Sequence, residues 1–347
     1  MSRKGRMNIQ RILIVGSDNI WSIERIYARH LKELGVAVEI FPAQNLFLAS
    51  YNKSLVNKLL YKAGLSRILH GVNQSLRQHI EKKRPDAVWV FKGMEVFPST
   101  IQWIHSLRVP VVNYNPDNPF IFTGSGSGNK NVTRSIRAFD LHFTYSLAIK
   151  SQLEKIGCKV ALLPFGFDLA DKDLEAAAAA PEILKLCFLG NPDKDRASFI
   201  RQLADGGIQI DLFGNNWGAF ISHPNIGIFD AVYAGDFWIK LRQYRVQLNL
   251  MRVHNLDSHN MRSFEVPGIG GIMLAPDTPE HRLFFKDGEE AFLFTDATSC
   301  MEKANQLLRL DKAGADRIRE NARKRSLASG YSYKDRSADV LKVLASL

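Results

Sequence analysis

Residues 257–273 read DSHNMRSFEVPGIGGIM, and the rest of the chain can be organised around them. An acid, a base and a second acid (Asp257, Arg262, Glu265) precede a glycine pair (Gly270, Gly271) that leads into an apolar run at 272–275. If 259–266 is one helix with about 3.6 residues per turn, Arg262 and Glu265 share a face that can hold a polar ligand. Just upstream, residues 246–251 (VQLNLM) alternate as a strand does, so the helix would start at the strand's carboxyl end. Open α/β sheets bind ligands there, where helix N-termini offer unpaired N–H groups to anions. The same residues also suit a surface helix with an ordinary i, i+3 ion pair and a glycine C-cap.

The order acid, seven residues, glutamate, then glycine five residues on (Asp257, Glu265, Gly270) resembles the E-x7-E signature of nucleotide-sugar glycosyltransferases with the GT-B fold. The wording RSFE at 262–265, which includes Ser263, followed by GGIML at 270–274, is similar to the spore-maturation (CgeB-like) glycosyltransferases, which carry R-x-F-E and a Gly-Gly. The resemblance covers most of the chain from Leu184 onward and, more weakly, residues 11–168. It implies an α/β protein with two Rossmann-like domains facing across a cleft. It also implies that Glu265 holds the ribose hydroxyls of a donor nucleotide and that Asp257 approaches the sugar. The chain departs from the pattern by carrying Asp rather than Glu at 257, one methylene shorter.

A chain of 347 residues fits two domains of ordinary size. No run approaches the roughly 18 apolar residues of a membrane span. The N-terminus is basic but is followed only by the short apolar run 12–15, too little for a signal-peptide core, so the expected location is cytoplasmic. The three cysteines, Cys158, Cys187 and Cys300, have no metal-ligand spacing and read as buried apolar fillers. The net charge of +11 is unevenly spread: residues 1–170 carry 23 Lys+Arg against 11 Asp+Glu, residues 171–347 carry 23 against 24. A basic first half calls for an anionic partner. No zinc-finger spacing or RNA-binding aromatic signature accompanies it, so no nucleic-acid partner is expected and an anionic membrane surface ranks first.

Along the chain, strands are expected at 11–15, 36–41, 87–91, 111–114, 139–145 and 160–164, with a helix at 20–34 and another at 147–156. The first strand closes on Gly16-Ser17-Asp18 without the G-x-G-x-x-G of a dinucleotide site. Residues 45–84 combine leucines near helical spacing with eight Lys and Arg, and suit either an interfacial helix or a core helix with a solvated basic face; Gly64 would break it in two. After the strand at 111–114, NPDNP at 115–119 holds Asp117 in a rigid turn, similar to the CgeB-like proteins, and turn chemistry alone explains it as well. The glycine-rich 124–131 reads as an acceptor lid or a surface loop. Residues 168–181, charged and then alanine-rich, are the expected domain boundary.

The second half restarts the same grammar at 184–189, closed by Gly190-Asn191-Pro192. Arg196, opening a helix at 196–204, sits where a donor diphosphate would meet N–H groups and a guanidinium, or else pairs with Asp193 or Asp195. FLGN with an arginine six residues after the glycine matches the CgeB-like pattern. A strand at 208–213 ends in GNNW, where Trp217 is either a buried aromatic or a neighbour of the base. Arg252 and His254 fall at the end of the strand 246–251, with Arg252 the stronger candidate. Helices follow at 298–310, 312–328 and 333–347, the last packing on its own domain or returning to the first.

The expected division is therefore 1–170 for the acceptor, 171–330 for the nucleotide sugar, and 331–347 as a closing helix. The donor site would be Gly190, Asn191, Arg196, Arg252, Arg262, Ser263, Glu265, Gly270 and Gly271. Asp117 or Asp18 would act as base on the acceptor hydroxyl, with Asp257 at the sugar. No metal and no cofactor beyond the nucleotide-diphosphate sugar is required. The acceptor would be a glycan, a lipid-linked carrier or a protein. A non-catalytic sugar-nucleotide-binding or scaffold protein on the same fold is the alternative.

Overall fold

Short apolar strands closed by glycine and followed by amphipathic helices build this chain twice over. The computed structural model describes residues 8–122, 126–252 and 257–347. Contacts divide it into two units, Met1–Pro164 with Tyr333–Leu347, and Phe165–Ser332.

The first unit runs β1 (Arg11–Val15), α1 (Ile23–Glu33), β2 (Ala37–Phe41), α2 (Ala43–Tyr51), α3 (Leu55–Lys62), α4 (Ile68–Lys83) and β3 (Ala87–Phe91). It continues with α5 (Pro98–Ser106), β4 (Val111–Asn115), α6 (Lys130–Ser135), β5 (Leu141–Thr144), α7 (Leu147–Lys155) and β6 (Val160–Leu162). The strands are parallel in the order β2-β1-β3-β4-β5-β6. β3 and β4 are buried along their whole length, as expected for strands covered on both faces. Leu13, Val88, Leu76 and Ile101 lie in the core on one face.

The second unit runs α8 (Asp171–Ala179), β7 (Ile183–Leu189), α9 (Lys194–Asp205), β8 (Ile210–Phe213), β9 (Ile226–Phe229), α10 (Ala234–Gln243) and β10 (Tyr244–Leu248). Then come α11 (Arg262–Ile269), β11 (Met273–Pro276), α12 (Pro279–Phe284), β12 (Phe292–Phe294), α13 (Ala297–Leu308) and α14 (Lys312–Ala328). Its parallel sheet has the order β12-β11-β10-β7-β8-β9, and Leu186, Leu212, Val246, Leu274 and Trp217 share one core. The last helix, α15 (Tyr333–Leu344), belongs to the first unit: Tyr333 meets Tyr27 of α1 edge to face at 5.2 Å.

Several expected boundaries move. The charged, alanine-rich stretch 168–181 is not a connection, because Asp171–Ala179 is a helix with Ala177 buried, packed on α10; the division falls at Pro164 instead of residue 170. Residues 45–84 make three helices rather than two; Gly64, at φ +73°, follows α3. The helix expected at 259–266 starts three residues later. Asn260 Oδ1 accepts the Ser263 N–H at 3.2 Å, a side-chain bond that starts the helix, and α11 then runs through Pro267 to a left-handed Gly270.

Candidate functional site

A parallel sheet offers its ligand site where neighbouring strands send their connections in opposite directions. Numbered from β7, the second unit has the order 3-2-1-4-5-6, so this point lies between β7 and β10. The loop after β7 is Gly190-Asn191-Pro192, and the chain after β10 runs Asn249, Leu250, Met251, Arg252. Arg196, in the first turn of α9, joins the two: it donates to Asn191 O at 3.1 Å and to Leu250 O at 2.9 Å. Asp193 caps α9 by accepting the Arg196 N–H and also approaches its guanidinium at 3.5 Å. The expected pairing with Asp193 is thus present, and Arg196 additionally fixes the mouth of the site.

Burial pulls the Arg196 pKa below its ordinary value; Asp193 opposes the drop, and Arg252 and Arg262, within charge range, add to it. Three guanidinium groups gathered at one strand edge repel one another, and a polyanion bound among them would relieve that repulsion. Arg262, at the start of α11, forms an ion pair with Glu265 and stacks its guanidinium 4.4 Å from the Phe237 ring centroid. Glu265 is buried; desolvation raises its pKa, and Arg262 opposes the rise. Asp168 adds a second negative field at Glu265.

A buried polar network holds the start of α11 in place. Asn249 donates to Ser263 Oγ at 3.1 Å and accepts from Asn260 at 2.8 Å, and Ser263 Oγ meets His281 Nε2 at 2.8 Å. The other ring nitrogen of His281 lies 2.8 Å from Pro276 O, so Nδ1 carries the proton and Nε2 accepts from Ser263. Burial pushes the His281 pKa down to about 4, which keeps the ring neutral. His259, also buried, pairs with Glu280 at 2.5 Å. Ser263, expected to touch the donor, therefore acts from behind Arg262 and Glu265. Neither Asn249 nor His281 carries a motif; only the position of Asn249 just beyond a central strand could have flagged it.

The structure places the other expected residues of this unit as follows. Gly270 and Gly271 lie at the far end of α11, where the chain enters the amino end of β11, away from the arginines. Gly271 is required for packing, since a Cβ there would sit 2.7 Å from Leu241 O and 2.9 Å from Val266 Cγ1. Asp257 is exposed, and His254 lies outside the described residues. Trp217 is buried and donates its indole N–H to Gly190 O at 2.8 Å, so it supports the β7 loop from beneath. Asn191 ties the same loop to the next by accepting from the Asn215 N–H at 3.1 Å.

The first unit's sheet, with the order 2-1-3-4-5-6, has its reversal between β1 and β3. Asp18, after β1, is half-buried and bound to Arg25 at 2.6 Å; Asp117, after β4, is bound to Lys92 at 2.6 Å. Both expected bases are thus ion-paired at this edge. Two carboxylates not expected from the sequence are more deeply buried. Glu24 accepts from the Ser17 N–H at 2.8 Å, and Glu95 follows β3 by four residues. Burial raises the pKa of each, Lys92 opposes the rise in both, and the charge of Glu24 further raises that of Glu95. At the ends of β4 and β5, the paired residues Asn115 and Thr144 leave Nδ2 and Oγ1 buried without a partner among the described residues.

Residues 196–342 match the model of a family described as glycosyl transferase-like. None of the curated proteins matches the sequence. Among solved structures, sucrose-phosphate synthase from Thermosynechococcus elongatus superposes with a TM-score of 0.66 at 12% identity, covering 96% of this chain and 98% of that one. Anabaena HepE in complex with UDP-glucose gives 0.64 at 12%, covering 97% and 100%. A putative UDP-N-acetylglucosamine 2-epimerase from Listeria monocytogenes gives 0.57 at 15%, covering 98% and 96%. The fold is GT-B. In this GT-B chain the glycosyl transferase-like match spans Arg196, Arg252, Arg262 and Glu265 together. Among the described residues no helix is long and apolar enough to cross a membrane.

Proposed function

We propose that this GT-B protein is a nucleotide-sugar-dependent, hexosyltransferase-like glycosyltransferase that moves a sugar to a hydroxyl acceptor in the synthesis of cell-surface glycans or glycoconjugates. The observation that carries the reading is the convergence of Arg196, Arg252 and Arg262 beside Glu265 at the reversal point of the second sheet. When the sugar moves, the diphosphate leaves and gathers negative charge, while positive charge develops at the anomeric carbon. Fixed cations at the diphosphate lower that barrier. Glu265 would take the ribose hydroxyls, Asp257 the sugar, and the arginines the charge, without a metal.

The acceptor hydroxyl needs a base for inversion, and Asp117 and Asp18 are ion-paired. Glu95 is the better base, since its raised pKa brings it closer to neutral pH. The acceptor would be a glycan, a lipid-linked carrier or a protein, presented on the cytoplasmic face of an anionic membrane that attracts the basic first unit. The wording RSFE and GGIML supports the narrower CgeB-like relationship.

The test is thermal unfolding with UDP, GDP, CDP, ADP and TDP, on the wild type and on Glu265→Ala. UDP comes first, because HepE was solved with UDP-glucose. At about one hundred times its dissociation constant a nucleotide adds roughly 2.7 kcal/mol to the folded state. One nucleotide should stabilise the wild type and not the variant. If none stabilises the wild type, the donor site is wrong. The epimerase neighbour makes a second assay useful: with the nucleotide sugar alone, an epimerase would return its epimer, whereas a transferase needs an acceptor.

A further inference from the structure

We propose that α3, together with the end of α2, is an interfacial anchor that lies on an anionic lipid bilayer. The inference sharpens the membrane reading above and stands on observations separate from the donor site. A surface helix ordinarily turns its apolar stripe toward the core, and α3 does the opposite. It has no buried residue, and Leu55, Val56, Leu59 and Leu60, which form one face, are exposed at 77, 61, 66 and 40%. Leu65 just beyond it, and Leu46 and Leu48 of α2, add to the exposed apolar surface.

What α3 turns inward is polar and aromatic. Asn57 donates to Ser50 O at 2.6 Å, and Tyr61 packs against Phe47 and Tyr51 at 5.0 and 5.5 Å. These contacts hold the helix with its leucines outward. The reading as a core helix with a solvated basic face holds for α4, which buries Val72, Leu76 and Ile80, and fails for α3.

Charge selects the occupant. Between Glu39 and Glu81 there is no acidic residue, while Lys53, Lys58, Lys62, Arg67 and Arg77 are all present. Exposed leucines flanked only by cations match a layer of acyl chains under anionic headgroups. A second copy of this chain would bring the same cations against one another. Tyr61 also lies within charge range of Glu95 and beside Asn129, so the anchor borders the carboxyl edge of the first sheet. A hydroxyl acceptor held in the bilayer would be delivered to that edge.

The experiment is sedimentation of the full chain with vesicles of phosphatidylcholine alone and with about one-third phosphatidylserine. The wild type should bind the mixed vesicles and lose most of that binding at high salt. Leu55→Glu with Leu59→Glu should weaken it at least tenfold, and Lys58→Ala or Lys62→Ala about fivefold each. The nucleotide-induced thermal shift should persist in all of them, so failure of the donor site and failure of the anchor read out separately. Wild-type protein that ignores phosphatidylserine vesicles, or a leucine variant that binds them equally, overturns the proposal. So does concentration-dependent dimerisation abolished by the leucine variant, which would assign the face to a second copy.

Discussion

The two sheets use the same grammar and present opposite chemistry at their reversal points. In the second unit the edge between β7 and β10 gathers Arg196, Arg252 and Arg262, with Glu265 as the buried acid. In the first unit the edge between β1 and β3 gathers Glu24 and Glu95, with Lys92 as the cation acting on both. Under the proposed function, one edge would receive the leaving diphosphate and the other the acceptor hydroxyl that must lose its proton. The comparison teaches that fold topology selects where a ligand sits, while the charge placed there selects what it is.

The largest expected effect tests the acidic edge. Glu95→Gln should lower kcat by about a hundredfold or more, the usual loss on removing a general base, while the nucleotide shift and donor KM stay unchanged. The wild-type rate should rise with pH through a Glu95 pKa above the ordinary glutamate value and flatten above it, a limb the variant loses. A variant that loses nucleotide binding instead would break the division of labour between the edges.

A smaller effect asks whether the glycine pair belongs to the donor site. Gly271→Ala forces a Cβ against Leu241 O and Val266 and should cost about 1–3 kcal/mol, lowering the melting temperature by a few degrees. Nucleotide affinity, measured by calorimetry below the transition, should not change. A tenfold loss of affinity at constant stability would return Gly271 to the site.

The smallest effect separates structural ion pairs from the site's own. Arg245 and Arg319 bind Glu182 at 2.7 and 2.5 Å and hold its pKa down to about 2. A depressed carboxylate contributes stability above its unfolded pKa of 4.5 and loses it as pH falls toward 2. Because the pair is partly exposed, the loss is on the order of 1–2 kcal/mol after solvent screening. Glu182→Gln should be less stable than wild type at neutral pH and should flatten that acid limb in chemical denaturation; an unchanged limb would mean other carboxylates govern it.

Much of the fold was legible because strands covered on both faces are written as short unbroken apolar runs closed by glycine. β1 and β3 occupy the expected residues, and α14 begins and ends where its pattern does. Arg262 and Glu265 could be paired from their spacing alone, since three residues apart on a helix leaves them neighbours. The alanine-rich α8 could have been read from alanine's helix propensity, but its packing on α10, some sixty residues away, could not. Gly270 and Gly271 lie apart from Arg262 for a related reason: about one and a half turns of helix beyond Glu265 carry the chain toward the other edge of the sheet.

By itself the sequence determined the repeated α/β grammar, the basic first half, and the acid–base pair of the central motif, because periodicity and charge are local properties of the chain. Only the tertiary structure decided which residues meet. It brought Arg196 to Leu250 O across 54 positions, set His281 behind Ser263, buried Glu24 and Glu95 at one edge, and turned the leucines of α3 outward. Each depends on which surfaces of separate elements are packed together, and helical periodicity shows that a leucine face exists without showing which way it points.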